Sequence, residues 1–292
     1  GNFDGLHVGH QQLLKVLRQS AIEHKAPAAV ISFEPQPPEF FKPDLARPRL
    51  MRFKEKWHFL ARQKIDYFIC LHFDKLLARC NATEFVETIL IKQLGVKAVI
   101  VGDNFRFGAD RTGDISLLEK LALQYHFKLI IIPQMVMDGE RISSTRVRNA
   151  LQSNQLNLAA RLLGHAYFLH GKVIHGDARG HQWGFPTANI DLTGKPIPIT
   201  GVFVVQVLGI AETALPAVAS IGVRPMFANG RTLLEVHVLD FNADLYGRKL
   251  TVEFLHKLRD QQVFINTAQL INQINLDVQN AREYFVSTIL SV

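Results

Sequence analysis

Two histidines three residues apart, His7 and His10, stand in Gly5-Leu6-His7-Val8-Gly9-His10, directly before the first amphipathic segment. Residues three apart at a helix start share a face. The helix N-terminus adds N–H groups and a positive dipole end, which suit a phosphate. Gly9 has no side chain and lets the backbone come close to a ligand. Such a group can stabilise negative charge developing on an α-phosphate under attack. A loop of ordinary surface histidines is the other reading, and the tetrapeptide alone does not separate the two.

Two further segments carry polar chemistry in the first half. Arg141-Ile142-Ser143-Ser144-Thr145-Arg146-Val147-Arg148 places three basic residues and three hydroxyls in eight positions. Helix capping accounts for a serine at such a start, but it does not account for the three arginines. Val101-Gly102-Asp103-Asn104-Phe105-Arg106-Phe107-Gly108 follows an expected strand. It is either a polar loop that reads a ring system or a turn anchored by two phenylalanines.

The second half holds a different constellation. Gly184-Phe185-Pro186-Thr187-Ala188-Asn189 leads into a short strand, where residues two apart share a face, so Thr187 and Asn189 point one way and Ala188 the other. A hydroxyl and an amide oxygen together suit Mg²⁺, and a polar turn entering a strand is the plainer alternative. In the strand Leu233–Phe241, Glu235 shares its face with Leu233, His237, Leu239 and Phe241. A carboxylate on a mostly apolar face must be paired, neutral or functional. One so placed can take a proton from a hydroxyl that attacks a γ-phosphate. The segment Gly171–Gly180, with Gly176 inside it, can fold over phosphates or serve as a hairpin connection.

The elements that must position these residues change character along the chain. Strands are expected at 28–33, 66–71, 96–101 and 128–132, with helices at 11–23, 54–62, 83–94 and 115–125, the rhythm of an α/β domain with a mostly parallel sheet. From about Phe168 short strands follow one another, at 168–175, 202–207, 216–221, 233–240 and 250–258. That succession predicts an antiparallel barrel or compact sheet, closed by a helix at 267–285. Residues 151–163 read as a helical connector, so the domains are expected at 1–160 and 165–292. The opening loop has no strand before it, and a supporting first strand is expected to be missing ahead of Gly1.

Composition narrows the class. At 292 residues, two domains are the natural expectation, and 48% hydrophobic residues suit packed soluble cores. No run of about 18 apolar residues suggests a membrane span, and nothing reads as a signal peptide. Cys70 and Cys80 form neither a CxxC pair nor a disulfide framework, which fits a cytoplasmic setting. The net charge of +7 is uneven: residues 1–160 hold 22 Lys and Arg against 16 Asp and Glu, and residues 161–292 hold 11 against 10. The excess is scattered, which argues for a polyphosphate pocket and against a nucleic-acid face.

In combination the first-half segments resemble the HxGH nucleotidylyltransferase superfamily. Within it they resemble the FAD synthetase module of the bacterial bifunctional riboflavin kinase/FAD synthetase family. The stretches that carry this are GNFDGLHVGHQ (1–11), ISFEPQPPEFF (31–41), VGDNFRFGADRTGD (101–114) and RISSTRVR (141–148). The resemblance implies a Rossmann-like domain in which His7 and His10 bind ATP phosphates and stabilise adenylyl transfer. Asn104 would lie at the ATP or flavin pocket. Arg141, Ser144 and Arg148, in the counterpart of the KMSKS loop, would hold the triphosphate.

Residues 165–292 resemble the riboflavin kinase domain of the same family through GKVIHGDARG, GFPTAN, ASIGVRPMF, LEVHVLDF and DLYGRKLTVEFLHKLRD. The resemblance implies that Thr187 and Asn189 ligate Mg²⁺ and nucleotide phosphates, with Gly176 at the phosphates. Glu235 would be the base on the riboflavin 5′-hydroxyl. Three places depart from the expected wording: His181-Gln182-Trp183, Met226 after Arg-Pro, and Phe203 where tyrosine is frequent.

The implied function is riboflavin to FMN in the second half and FMN to FAD with release of pyrophosphate in the first, both with ATP and Mg²⁺. The expected partners are riboflavin, FMN and ATP alone, with no nucleic acid and no membrane, in a monomer or weak homo-oligomer. The alternatives are another HxGH nucleotidylyltransferase (cytidylyl or pantetheine-phosphate adenylyl), a nucleic-acid-binding regulator and a flavin sensor without turnover.

Overall fold

The computed structural model describes residues 1–45, 47–176, 183–192, 196–223 and 232–289. Asp177–Gly180 of the expected phosphate loop, together with His181, Gln182 and Met226, lies outside the described residues. The chain divides into two compact units, Gly1–Arg47 with Met51–Ser144, and Pro48–Leu50 with Thr145–Val292.

The first unit opens on a short loop that enters helix α1 (Val8–Glu23) and then strand β1 (Ala29–Glu34). Helices α2 (Pro37–Phe41) and α3 (Phe53–Arg62) lead to β2 (Tyr67–His72), which pairs in parallel with β1. Helices α4 (Lys75–Arg79) and α5 (Ala82–Glu84) follow, and the chain continues through Phe85–Gln93 in a wider, π-helical turn. The sequence periodicity predicts one helix there, and nothing in the residue types marks the widening. Val86 and Leu90, four apart, still turn inward together. Strand β3 (Ala98–Gly102), helix α6 (Ile115–Tyr125) and strand β4 (Lys128–Ile132) form a second parallel pair with a helical crossover, the connection parallel strands require.

The core of this unit gathers Val86, Leu90, Val101, Leu118, Leu121 and Phe127. Phe107 belongs to it too and stacks on Phe105 with ring centroids 5.4 Å apart, so the loop after β3 is pinned from below. Its polar residues are thereby presented at the carboxyl end of a parallel strand, where ligands bind in such sheets. A two-residue hairpin, β5 (Val136–Met137) with β6 (Glu140–Arg141), then delivers Arg141.

The expected helical connector is two helices, α7 (Ser144–Gln152) and α8 (Leu156–Leu163), and from Thr145 it packs with the second unit. Strands β7 (Tyr167–Ile174), β8 (Ala188–Asp191), β9 (Gly201–Leu208), β10 (Leu215–Val223), β11 (Thr232–Val238) and β12 (Lys249–Arg259) close into an antiparallel barrel. Its strand order is β10-β11-β8-β7-β12-β9. Closure leaves no exposed sheet edge.

Alternation fills the barrel. Ile190, Phe203, Val205, Ala219, Ile221, Leu234, Val236, Leu250 and Val252 are all fully buried, and the Phe203 and Phe254 rings meet edge to face at 5.3 Å. Phe203 therefore belongs to the barrel interior, where a ring without a hydroxyl needs no hydrogen-bond partner. Strand β9 is apolar on both faces because helix α9 (Thr267–Ile289) covers its outer side, packing Ala281 and Val278 on Val204 and Val218. The ion pair of half-buried Arg259 with buried Asp277, 2.7 Å at its shortest, fastens that helix to the end of β12.

Candidate functional site

His7 is the N-cap of α1. Its Nδ1 accepts from the His10 backbone N–H at 3.3 Å, a role more often filled by Ser, Thr, Asp or Asn. The His7 and His10 rings stack with centroids 3.7 Å apart and planes 17° apart. Gly9 explains how they fit: a β-carbon there would press on the His7 ring at 3.3 Å. The glycine thus makes room for an imidazole, where the sequence suggested room for a ligand.

Burial holds both rings uncharged. His7 is lowered to about 4, first by burial and then by the Arg141 guanidinium. His10 falls well below the usual histidine range, first by burial, then by His7 and nearby positive groups. His10 Nδ1 is buried without a hydrogen-bond partner. Neutral imidazoles still carry one N–H each, so the pair can donate to a phosphate oxygen while uncharged.

The turn before the helix is strained and firmly tied. Phe3, Gly5 and Leu6 all have positive φ (46°, 81° and 42°), unusual for the two non-glycines. Asp4, buried at 3% exposure, accepts from the Met51 N–H through Oδ1 at 3.1 Å. Gln11 Nε2 donates to the Leu6 carbonyl at 2.9 Å. Ser144 Oγ donates to the Asp4 carbonyl at 2.7 Å, so the hydroxyl expected at the triphosphate holds the histidine turn in place.

Asn104 and Arg141, 37 positions apart, meet directly. With its amide oxygen turned to the guanidinium, Asn104 accepts from the Arg141 terminal nitrogens at 2.7 and 2.8 Å. His7, His10, Asn104, Arg106, Arg141 and Ser144 all line one cavity of about 1330 Å³. Arg148, grouped with them by sequence, belongs to the second unit, where its Nε donates to the Pro48 carbonyl at 2.6 Å.

In the barrel, Asn189 on β8 and Glu235 on β11 are register partners, and Ser220 on β10 faces Glu235 from the other side. Partners in an antiparallel pair share a face. Leu234 and Val236 fill the interior, so Glu235 stands on the outer, half-exposed face with Asn189 beside it. Gly176 lies against Asn189, and a β-carbon there would be 2.1 Å from Nδ2. Thr187 precedes β8 and is half-buried. His237, two residues beyond Glu235 on the same face, was not singled out by the sequence. It bonds the Pro186 carbonyl through Nδ1 at 2.9 Å and meets the Phe185 ring edge to face at 5.6 Å, fixing the segment that presents Thr187.

Comparison with known proteins agrees with this division. The FAD synthetase family model matches residues 1–146, and the riboflavin kinase family model matches residues 163–285. Fold and matches together define a two-domain flavin-nucleotide transferase. Bifunctional riboflavin kinase/FMN adenylyltransferase of Escherichia coli (strain K12) is 46% identical over 98% of this chain and 91% of its own length. The protein of that name from Pseudomonas fluorescens is 45% identical over 97% of this chain and 90% of its own. A solved structure, described as a macrolide-efflux protein from Streptococcus pneumoniae, superposes with a TM-score of 0.81 at 31% identity, covering 97% of this chain and 92% of that one. Among the described residues no helix is long and apolar enough to cross a membrane. The chain belongs to the bifunctional riboflavin kinase/FMN adenylyltransferase family, with its FAD synthetase domain first and its riboflavin kinase domain second.

Proposed function

We propose that the two activities run on the two sites described above, each cleaving ATP at a different bond. In the first unit an FMN phosphate oxygen attacks the α-phosphate of ATP, forming FAD and releasing pyrophosphate. His7 and His10, uncharged, donate N–H groups to the α-phosphate oxygens as charge builds there. Arg141, oriented by Asn104, balances the triphosphate charge. Ser144 acts by holding the Asp4 carbonyl.

In the second unit the riboflavin 5′-hydroxyl attacks the γ-phosphate of ATP, giving FMN and ADP. Glu235 accepts the hydroxyl proton, and its place on the outer barrel face keeps it open to substrate. Thr187 Oγ1 and Asn189 Oδ1 would hold Mg²⁺ together with the nucleotide phosphates. These are neutral oxygen donors, and among the described residues no cluster of three acidic, histidine or cysteine side chains could hold a metal. That donor set fits an ion that arrives with ATP and neutralises phosphate charge there. The closeness of Gly176 to Asn189 would let backbone, without a side chain, cover the phosphates.

The observation that carries the reading is the convergence of His7, His10, Asn104 and Arg141 on one cavity, in a chain whose separate barrel pairs Asn189 with Glu235. The domains are proposed to span residues 1–160 and 165–292, and the protein to act as a cytoplasmic monomer or weak homo-oligomer. The test is an assay: purified protein given riboflavin, ATP and Mg²⁺ should accumulate FMN and then FAD. Formation of neither would overturn the reading.

A further inference from the structure

A buried cation lies beneath the first site. Lys56, on α3, is 3% exposed. Its Nζ donates to the Asn2 carbonyl at 2.6 Å and to Ser32 Oγ on β1 at 3.4 Å, and Ser32 is itself 1% exposed. A buried ammonium is costly and persists where hydrogen bonds and opposite charge compensate it.

What it holds is the approach to the histidines. The Asn2 carbonyl belongs to the peptide that enters Phe3, the first of the positive-φ residues. The Phe3 ring lies 5.1 Å from the His10 ring, centroid to centroid, and His10 in turn stacks on His7 at 3.7 Å. A run of contacts therefore leads from Lys56 through one peptide plane and one phenyl ring to both imidazoles. We propose that Lys56 is a positioning residue for adenylyl transfer: its ammonium anchors the Asn2 carbonyl to β1 and so sets the strained turn that carries His7 and His10. This rests on the reading of that histidine pair as the adenylyl-transfer site.

Electrostatics adds a consequence that packing alone does not. His7 and Lys56 act on His10, and burial outweighs each of them. Arg141 acts on His7. Removing the Lys56 charge therefore raises the His10 pKa, and the acid limb of adenylyl transfer moves to higher pH.

The experiment compares the full-length protein with Lys56→Met and Lys56→Arg, following FMN to FAD and, in the same preparation, riboflavin to FMN. The Met variant should lose roughly 10- to 100-fold in kcat for FAD formation, as expected for a small displacement of reacting groups. Its KM for ATP should stay near native, its acid limb should rise, and its riboflavin phosphorylation should be unchanged. The Arg variant should recover part of kcat and the native acid limb. If the Met variant fails to unfold cooperatively or loses riboflavin phosphorylation as well, Lys56→Gln is read by the same assays. Native kcat and a native acid limb in a folded variant lacking the charge would overturn the proposal. Failure of the unaltered protein to make FAD would overturn the site reading instead.

Discussion

Asn189 and Glu235 face each other as register partners across β8 and β11, on the outer side of a barrel whose interior is closed by Leu234, Val236 and Ile190. A carboxylate and an amide thereby stand side by side on a rigid sheet, held by backbone pairing rather than by a loop. Backbone pairing therefore fixes the spacing between the proposed base and the proposed phosphate-side amide.

Gly176 extends this arrangement. A methyl group at that position would overlap the Asn189 amide, so Gly176→Ala must displace either the backbone or the amide. Riboflavin phosphorylation should fall by about tenfold or more, with a raised KM for ATP, as lost positioning predicts. FAD formation from supplied FMN should be unchanged. Steady-state kinetics of the two half-reactions in one preparation check this, and equal loss of both would contradict it.

The Asn104–Arg141 contact makes a coupling prediction. Asn104→Ala and Arg141→Ala should each lower kcat/KM for adenylyl transfer, and the double variant should lose less than the two combined. A coupling of about 1–2 kcal/mol is expected for a charge-assisted pair of neighbours. Full additivity in a double-mutant cycle would mean that Asn104 meets substrate independently of the guanidinium.

The depressed histidines predict an acid-side loss of stability. A histidine whose folded pKa lies below its unfolded value of about 6.5 binds its proton more readily in the unfolded chain, so stability is lost as pH falls from that value toward the folded one. For His7, lowered to about 4, the window runs from about 6.5 down to about 4. Thermal unfolding at pH 7 and pH 5 should show a larger drop for the native protein than for His7→Asn, where the titrating ring is gone. Equal drops would place the acid sensitivity elsewhere.

Much of the fold could be read from patterning, because periodicity is what burial imposes. β4 and α6 fall at the residues expected, and the expected strands lie within about two residues of the observed ones, whereas the expected connector at 151–163 begins seven residues earlier and divides into two helices. The π-helical widening after Glu84 was hidden, since residues four apart face inward in either geometry. The site was less legible. Spacing put Glu235 and its neighbours on alternate faces, but it could not show which face lies outside the barrel, since that depends on Leu234 and Val236 packing into the interior. Ser144 and Asp4 are 140 positions apart, and Lys56 reaches Asn2 across 54. Such ties follow from tertiary packing, and no local signal announces them. Lys56 offered one weak cue, a lysine that α3 turns toward the core beside Leu60.

The central claim is that one chain breaks ATP at two different bonds on two separable sites. The most direct measurement is phosphorus NMR of the products made by His10→Ala and Glu235→Gln, each given ATP and Mg²⁺ with riboflavin or with FMN. The His10 variant should turn riboflavin into FMN with ADP and form no pyrophosphate. The Glu235 variant should turn supplied FMN into FAD with pyrophosphate and form no ADP. Loss of both products from either variant, with the fold intact, would contradict the account.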